Sequence, residues 1–165
     1  MIRITKILYA TDFSSHSNQA YFHAVALAEK HGASLTIVFV YAPGFAKGQK
    51  ADDREHWRSQ LEQIRPVDAS IPVHHVFLEG DPAGEIVRYA TDAGIDLIVM
   101  GTHGRGGMSH LLMGSVAERV VRTAPCPVLT VRQSRTTKPA AEARPEAVLE
   151  VPPVLMATTT ADKQC

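Results

Sequence analysis

Apolar and polar residues follow one another along the chain in blocks of two kinds: short runs that are almost entirely apolar, and longer stretches with apolar residues at helical spacing. The apolar runs predict five strands, at about residues 4–9, 34–41, 73–80, 95–101 and 126–132. The run SLTIVFVY at 34–41 lacks alternation, which is typical of a strand buried on both faces of a parallel sheet. Because helical stretches separate the strands, the pattern predicts βαβ units and an open, Rossmann-like parallel sheet of the α/β class with helices on both faces.

Capping residues indicate where two of the helices begin and end. Ser14 or Ser15 is expected to cap the first helix, which runs to about Gly32. The third helix has the clearest signals, with Asp81 as N-cap, a proline directly after it, and Gly94 as the closing residue.

The other two helices are predicted from the spacing of their apolar residues. One is expected over 51–65, before a proline, with a charged outer face. The other is expected over 115–124, with Val116, Val120 and Val121 facing inward.

Charge and composition narrow the classes of function. Lysine plus arginine equals aspartate plus glutamate at 17 each, so no overall field favours nucleic acid or an anionic membrane, and any bound anion must be held locally. No apolar run approaches the roughly 18 residues of a membrane helix, and the first residues look like a strand and not like a signal peptide. We therefore expect a cytoplasmic protein.

The cysteines and the paired histidines do not indicate a metal site. Cys126 and Cys165 lack metal-ligand spacing, and Cys126 is expected to be a small core residue. His74 and His75 are neighbours on a predicted strand, so their side chains point to opposite faces and do not converge on one ion.

The composition changes after Arg132 to one rich in proline, alanine and threonine. We therefore expect one domain over 1–132, followed by a disordered tail over 133–165. The stretch AVLEVPPVLM at 147–156 is apolar enough to dock on a sheet edge or a partner. Its prolines disfavour a regular strand, however, and favour a loosely ordered extension.

The stretch GTHGRGGMSHLLMGS at 101–115 follows the fourth predicted strand and matches neither common nucleotide loop. The dinucleotide fingerprint requires a different glycine spacing after the first strand. The Walker loop requires Lys-Ser or Lys-Thr where this chain has Gly107-Met108.

Physical chemistry still indicates a phosphate site in this stretch. The first N–H groups of a helix lack intrahelical partners and carry partial positive charge, and Gly114-Ser115 opens the fourth helix without a Cβ that would keep an oxygen away. Gly101 and Gly104 follow the strand end, where they let the chain turn sharply. Any one glycine can simply make a turn, but several together at a strand end and a helix start favour an anion site.

The pattern Gly101-x2-Gly104-x9-Gly114-Ser115 resembles that of the ATP-binding branch of the universal stress protein family. The flanking segments YATDFS, DLIVMGTHGRGG and GSVAERVVRTAPCPVLTVR are similar to that family too. The resemblance covers about residues 1–132 and none of the tail. It implies sheet order 3-2-1-4-5, in the adenine nucleotide alpha hydrolase-like form of the fold.

For the nucleoside, the resemblance implies that the backbone around Ala10 and Thr11 faces the ligand and that Asp12 binds the ribose hydroxyls. Val40, at the end of the second strand, would meet the adenine through its main chain. On local grounds, Asp12 could equally be a helix-capping aspartate.

For the phosphates, the resemblance implies one group at the fourth strand and one at the fourth helix. Met100 and Gly101 would line the nucleoside and the α-phosphate. The β- and γ-phosphates would be held by Gly104, Gly114, Ser115 and Val116. Mg²⁺ is expected to accompany ATP, held mainly by the phosphates.

The favoured function is a regulatory module that responds to bound ATP in a stress response. A slow ATPase or phosphotransferase is the alternative, but the loop offers only His103, Ser109 and His110, with no carboxylate between 101 and 117. A dimeric member that does not retain nucleotide is a further alternative. A phosphorylated response-regulator domain would need an acidic pair after strand one and a lysine near strand five, in an arrangement that YATDFS and PVLTVR do not supply.

The resemblance also implies a homodimer paired through strand five, Pro127 to Arg132. An apolar strand at the edge of a sheet presents unpaired backbone groups to a second copy.

Overall fold

The computed structural model of the chain describes residues 3–43, 53–103 and 113–132. Within these ranges strands and helices alternate as the hydrophobic pattern predicts. In chain order they are β1 (Lys6–Thr11), α1 (Ser15–His31), β2 (Ser34–Tyr41), α2 (Arg54–Glu62), β3 (Val73–Glu79), α3 (Pro82–Ala93), β4 (Leu97–Gly101), α4 (Ser115–Thr123) and β5 (Val128–Val131). The tail expected over 133–165 lies outside the described residues.

The strands form one parallel sheet in the order β3-β2-β1-β4-β5. The predicted fold class and strand order are confirmed. β1 lies at the centre of the sheet, with β2 on one side and β4 on the other. The chain segments nearest to it in space are therefore 28 and 90 residues away along the sequence, as the pairs Leu8–Thr36 and Leu8–Ile98 show.

Two apolar clusters, one on each face of the sheet, form the core. Successive residues of β1 point to opposite faces, so Ile7 and Tyr9 belong to one cluster while Leu8 and Ala10 belong to the other. The first cluster also contains apolar residues of α1 and α2, and the second contains those of α3 and α4. Helices α1 and α2 thus cover one face of the sheet, and helices α3 and α4 cover the other.

Helix α1 begins and ends at the residues that the sequence indicates. Ser14 is its N-cap and accepts a hydrogen bond from the N–H of Ser17 at 3.3 Å, while Gly32 closes it with a left-handed φ of 60°. Its buried face is made of small residues, chiefly Ala20, Ala24 and Ala28. Short side chains at this spacing allow the helix backbone to lie close to the sheet.

Asp81 and Arg119 link the start of α3 to α4. Asp81 caps α3 by accepting from the N–H of Gly84 at 2.9 Å, and Gly94 closes the helix with φ 62°. The guanidinium of Arg119 donates to both Asp81 carboxylate oxygens, each at 2.8 Å. These Arg119 bonds, followed by the Gly84 N–H, lower the pKa of the Asp81 carboxyl. The cap therefore also orients α4.

The structure corrects two details of the predicted helices. Val120 is fully buried and Val116 is partly buried, but Val121 is 45% exposed, so its predicted inward orientation is wrong. Val120 occupies the sheet-facing position, and the next residue lies about 100° further round the helix. Helix α2 ends at Glu62, earlier than the predicted residue 65.

Among the helices described, none combines the length and apolar character needed to cross a bilayer.

Asp96 fastens β1 to the segment before β4 at the amino edge of the sheet. Its carboxylate accepts from the Thr5 N–H at 2.8 Å, the Thr5 hydroxyl at 2.8 Å and the Lys6 N–H at 2.9 Å. These bonds, the Thr5 N–H first, lower the pKa of Asp96. The pairing of β1 with β4 is thus fixed at its start by one charged group.

We expect Asp96→Ala to lower the free energy of unfolding at pH 7 by about 1.5–3 kcal/mol, the net value of a hydrogen bond to a charged acceptor. Because the folded-state pKa is lowered, this stabilisation is complete above the unfolded-state pKa of about 3.9 and is lost as pH falls through the folded-state value. Urea unfolding from pH 7 to pH 3 measures this, with Asp96→Asn as the control for loss of charge alone. A difference that does not shrink in acid would contradict the assignment.

Candidate functional site

The carboxyl ends of β1 and β4 form the crevice in which open α/β sheets bind ligands. After β1 the chain continues into α1, which packs on one face, and after β4 it continues into α4, which packs on the other. The two strands are direct neighbours. Because the chain leaves them in opposite directions, the space between their ends is left open, as at other topological switch points.

Four of the residues predicted for the site end these two strands. Ala10 pairs with Met100, and both side chains are buried on the face covered by α3 and α4. Thr11 and Gly101 follow and face α1: the Thr11 hydroxyl lies 3.3 Å from that of Ser17, and a Cβ at Gly101 would point at the backbone of His16. Backbone groups of both strands therefore reach the same edge at the same level.

Asp12 and Val40 also lie at this edge. Thr11 pairs with Phe39, and Asp12 and Val40 each follow by one residue, so they are level with each other. Val40 is 8% exposed and its side chain belongs to the core. Only its main chain is suited to meet a ligand, which is how the resemblance assigns it.

The turn between β1 and α1 holds the Asp12 carboxylate in a defined position. Asp12 Oδ1 accepts from the Ser14 N–H at 3.0 Å and from the Ser14 hydroxyl at 2.6 Å. Ser14, and not Asp12, is the N-cap of α1. The alternative role of Asp12 as the helix cap is therefore wrong, although Asp12 supports the residue that does cap the helix.

Gly101 is required for a close approach between β4 and α1. A Cβ at this position would lie 2.9 Å from the backbone oxygen of His16 and 3.3 Å from that of His103. The φ of Gly101 is not positive, so its glycine is explained by this close approach and not by a left-handed conformation. Absence of a side chain lets the end of β4 touch the first turn of α1.

Helix α4 begins at Gly114 without a side-chain cap. The Gly114 N–H donates to the Thr102 oxygen at 2.7 Å, and its own oxygen accepts from the Glu118 N–H at 2.9 Å. Glycine offers no side-chain acceptor to the first-turn N–H groups, unlike the serine and aspartate caps of α1 and α3. The start of α4 is thus tied to the end of β4 with amides suited to an external anion.

Two of the three remaining residues predicted to hold the phosphates lie in the part of the chain that the structure describes. Ser115 is exposed in the first turn of α4, and Val116 is partly buried against the core beneath α3 and α4. Gly104 lies outside the described residues. Ser115 and the backbone of Val116 are therefore at the predicted edge, while the Gly104 assignment stays a prediction.

Thr102 and His16 belong to this site, although sequence reasoning missed them. Thr102 is 6% exposed, and its N–H donates to the Val131 oxygen at 3.0 Å, so it connects β4, β5 and α4. Its hydroxyl lies 3.0 Å from His103 Nδ1. His16 brings its ring to 5.8 Å from that of His103. The position of Thr102 between two glycines at the end of a strand could have indicated it from the sequence. No sequence feature indicated His16.

Other candidate groups have structural roles. His75 Nε2 lies 2.7 Å from the Ile64 oxygen, and His74 is exposed, so the two do not form a pair. Cys126 is half-buried against the core, and burial raises the pKa of its thiol. In the ranges described, no three histidine, cysteine or acidic side chains are grouped to hold a metal ion.

Comparison with known proteins gives one family. The model of the universal stress protein family matches residues 3–132. Universal stress protein MJ0531 of Methanocaldococcus jannaschii is 35% identical, over 79% of this chain and 83% of that protein. The structure of the hypothetical protein MJ0577 matches with a TM-score of 0.67 and 28% identity, over 82% of this chain and 100% of that one. A universal stress protein in complex with cAMP has the same fold, with a TM-score of 0.63 and 23% identity, over 80% of this chain and 99% of that one.

We expect Gly101→Ala to destabilise the fold by about 1–3 kcal/mol, because its methyl group would meet the rigid backbone oxygen of His16. Gly84→Ala is the matched comparison, since its methyl group would also lie 2.9 Å from an oxygen, but that oxygen belongs to the Asp81 side chain, which can rotate away at the cost of its hydrogen bonds, whereas the His16 oxygen is part of the backbone. Urea unfolding of both variants measures the difference. Equal stability of the two would mean that β4 and α1 are not in close contact.

Proposed function

The chain belongs to the universal stress protein family, and we propose that it is an ATP-binding regulatory member whose conformation or partners respond to the bound nucleotide. The observation that carries the proposal is the start of α4. Its uncapped first turn begins at Gly114, which is hydrogen-bonded to Thr102 at the switch point of the sheet.

The chemistry of this helix start suits a phosphate group. The N–H groups of Ser115, Val116 and the following residue point out of the first turn, where the helix dipole adds partial positive charge. The Ser115 hydroxyl can donate a further hydrogen bond. With no excess of basic residues on the chain, such local donors must supply the attraction for an anion.

The other end of the crevice suits a nucleoside. Asp12 offers a carboxylate for two adjacent hydroxyls, and the main chain of Val40 lies level with it. A carboxylate would repel phosphate. Because Asp12 and the start of α4 lie at different places along the sheet edge, a nucleotide would bind in one orientation. Ribose would bind at β1, and the phosphates would extend towards α4.

The structural neighbour with cAMP shows that this fold can hold a nucleotide in another protein. For this chain, ATP is favoured over a cyclic nucleotide by the glycine pattern that it shares with the ATP-binding branch of the family. Mg²⁺ would arrive with the ATP, coordinated mainly by phosphate oxygens.

A second copy of the chain is the proposed partner, paired through β5. Within the described residues β5 is bonded to β4 alone, through bonds from the N–H groups of Ile98 and Thr102 to the Pro127 and Val131 oxygens. In a parallel strand the N–H and C=O of one residue point the same way, so those of Val128 and Thr130 point away from β4. They are available to a symmetric pairing.

We expect Gly114→Val to weaken ATP binding about a hundredfold, since loss of the amide contacts removes about 3 kcal/mol. The Gly114 backbone, with φ −74° and ψ 157°, is open to valine, so the fold should remain intact. Calorimetry with ATP, ADP and cAMP measures the affinities, and mass spectrometry identifies nucleotide released from freshly purified protein.

Thr123→Val is the control for this substitution, because it places a similar side chain at the far end of α4. Equal ATP affinity in Gly114→Val and wild type would refute the phosphate placement. Turnover of ATP at about 1 per second or faster would instead favour the alternative function, an ATPase or phosphotransferase.

We expect Thr130→Pro to convert a dimer into monomers, because proline removes the outward N–H of the edge strand and leaves the bonds to β4 in place. Thr130→Val, which keeps that N–H, should remain dimeric. Size-exclusion chromatography followed by light scattering measures the molar mass of the assembly in solution. A wild-type monomer, or a proline variant that stays dimeric, would rule out this interface.

A further inference from the structure

Phe13 has an unusual backbone conformation directly beside the proposed nucleoside site. Its φ is 60°, and it is the one non-glycine residue with positive φ in the part of the chain that the structure describes. A bulky L-residue avoids this region, because its Cβ crowds the following carbonyl oxygen. The local bond from the Phe13 N–H to the Thr11 hydroxyl, at 3.0 Å, helps to close the turn.

An aromatic triad, defined as Phe13, Phe39 and Trp57, holds Phe13 in this conformation. The Phe13 ring lies 4.9 Å from that of Phe39 and 5.4 Å from that of Trp57, and the latter two are stacked at 5.6 Å. These separations are in the range of favourable aromatic pairs. The triad joins three elements, since Phe39 belongs to β2 and Trp57 to α2.

The conformation of Phe13 determines where the Asp12 carboxylate lies. Phe13 stands between Asp12 and Ser14, and Ser14 donates two hydrogen bonds to the carboxylate across it. Asp68 bonds to the Ser70 N–H in the same way across Ala69, whose φ is not positive, so the positive φ of Phe13 sets the direction in which this turn leaves β1 and not the existence of the bond. The turn that carries Asp12 is therefore anchored by the Phe13 ring through two aromatic contacts, at 4.9 Å and 5.4 Å.

We propose that Phe13 is a positioning residue for Asp12, and that the aromatic triad thereby sets the ribose-dependent part of the nucleotide affinity. This inference rests on the proposed function. It assigns α2 a role at the site without any contact with the ligand, because Trp57 contacts the turn and the turn orients the carboxylate.

The test compares ATP with 2′,3′-dideoxy-ATP, which lacks the ribose hydroxyls. We expect Phe13→Ala to weaken ATP binding about tenfold, the effect of one charge-assisted hydrogen bond, and to change dideoxy-ATP binding less than about twofold. In an Asp12→Ala background the Phe13 substitution should have no further effect, because the two residues act through one contact.

Phe13→Asn separates positioning from simple packing. It removes the same ring, but asparagine tolerates positive φ, so it should recover part of the ribose-dependent affinity that alanine loses. A residue needed only to fill space would show no such recovery. Should Phe13→Ala fold poorly, Trp57→Leu breaks the triad from α2 and carries the same comparison.

The outcomes separate the two proposals. Equal weakening of both nucleotides by Phe13→Ala, or wild-type affinity that does not differ between them, overturns the positioning role while ATP binding stands. If wild-type protein binds neither nucleotide, the proposed function fails, and the positioning role fails with it.

Discussion

The pairing of β1 with β4 is the constraint on which the architecture and the site depend. These strands are separated by α1, β2, α2, β3 and α3 in the chain, yet they lie side by side. Asp96 fixes their alignment at the amino edge with three hydrogen bonds. At the other edge the chain leaves them towards opposite faces, which creates the crevice. The positions of Asp12, Gly101 and Gly114 at this edge follow from the alignment.

The glycines around the crevice have different physical roles. Gly32 and Gly94 adopt left-handed conformations that end helices. Gly101 has an ordinary φ but lies too close to the His16 backbone for any side chain. Gly114 has an extended conformation that any residue could adopt, so its lack of a side chain is what leaves the first turn of α4 uncapped. Of these, Gly114 is the one whose identity is not explained by the fold alone.

Local signals predicted the elements well, because caps and apolar spacing are properties of neighbouring residues. Asp81 was identified as a cap from its sequence context and is confirmed, and of the two serines offered as caps of α1 the structure selects Ser14. The site was predictable only in part, since its geometry depends on contacts between distant segments. Neither the approach of Gly101 to His16 nor the positive φ of Phe13 has a signal in the neighbouring residues. Val121 was misplaced because spacing alone does not show which side of α4 meets the sheet.

The alanine face of α1 also limits how this sequence can change over evolutionary time. Ala20, Ala24 and Ala28 are each 1% exposed or less, so the helix rests on the sheet with no spare volume. A larger residue at any of them would lift the helix, and a polar one would be buried without a partner. Substitutions should therefore accumulate on the outer side of α1, while its inner side changes slowly for reasons of packing that are independent of any ligand.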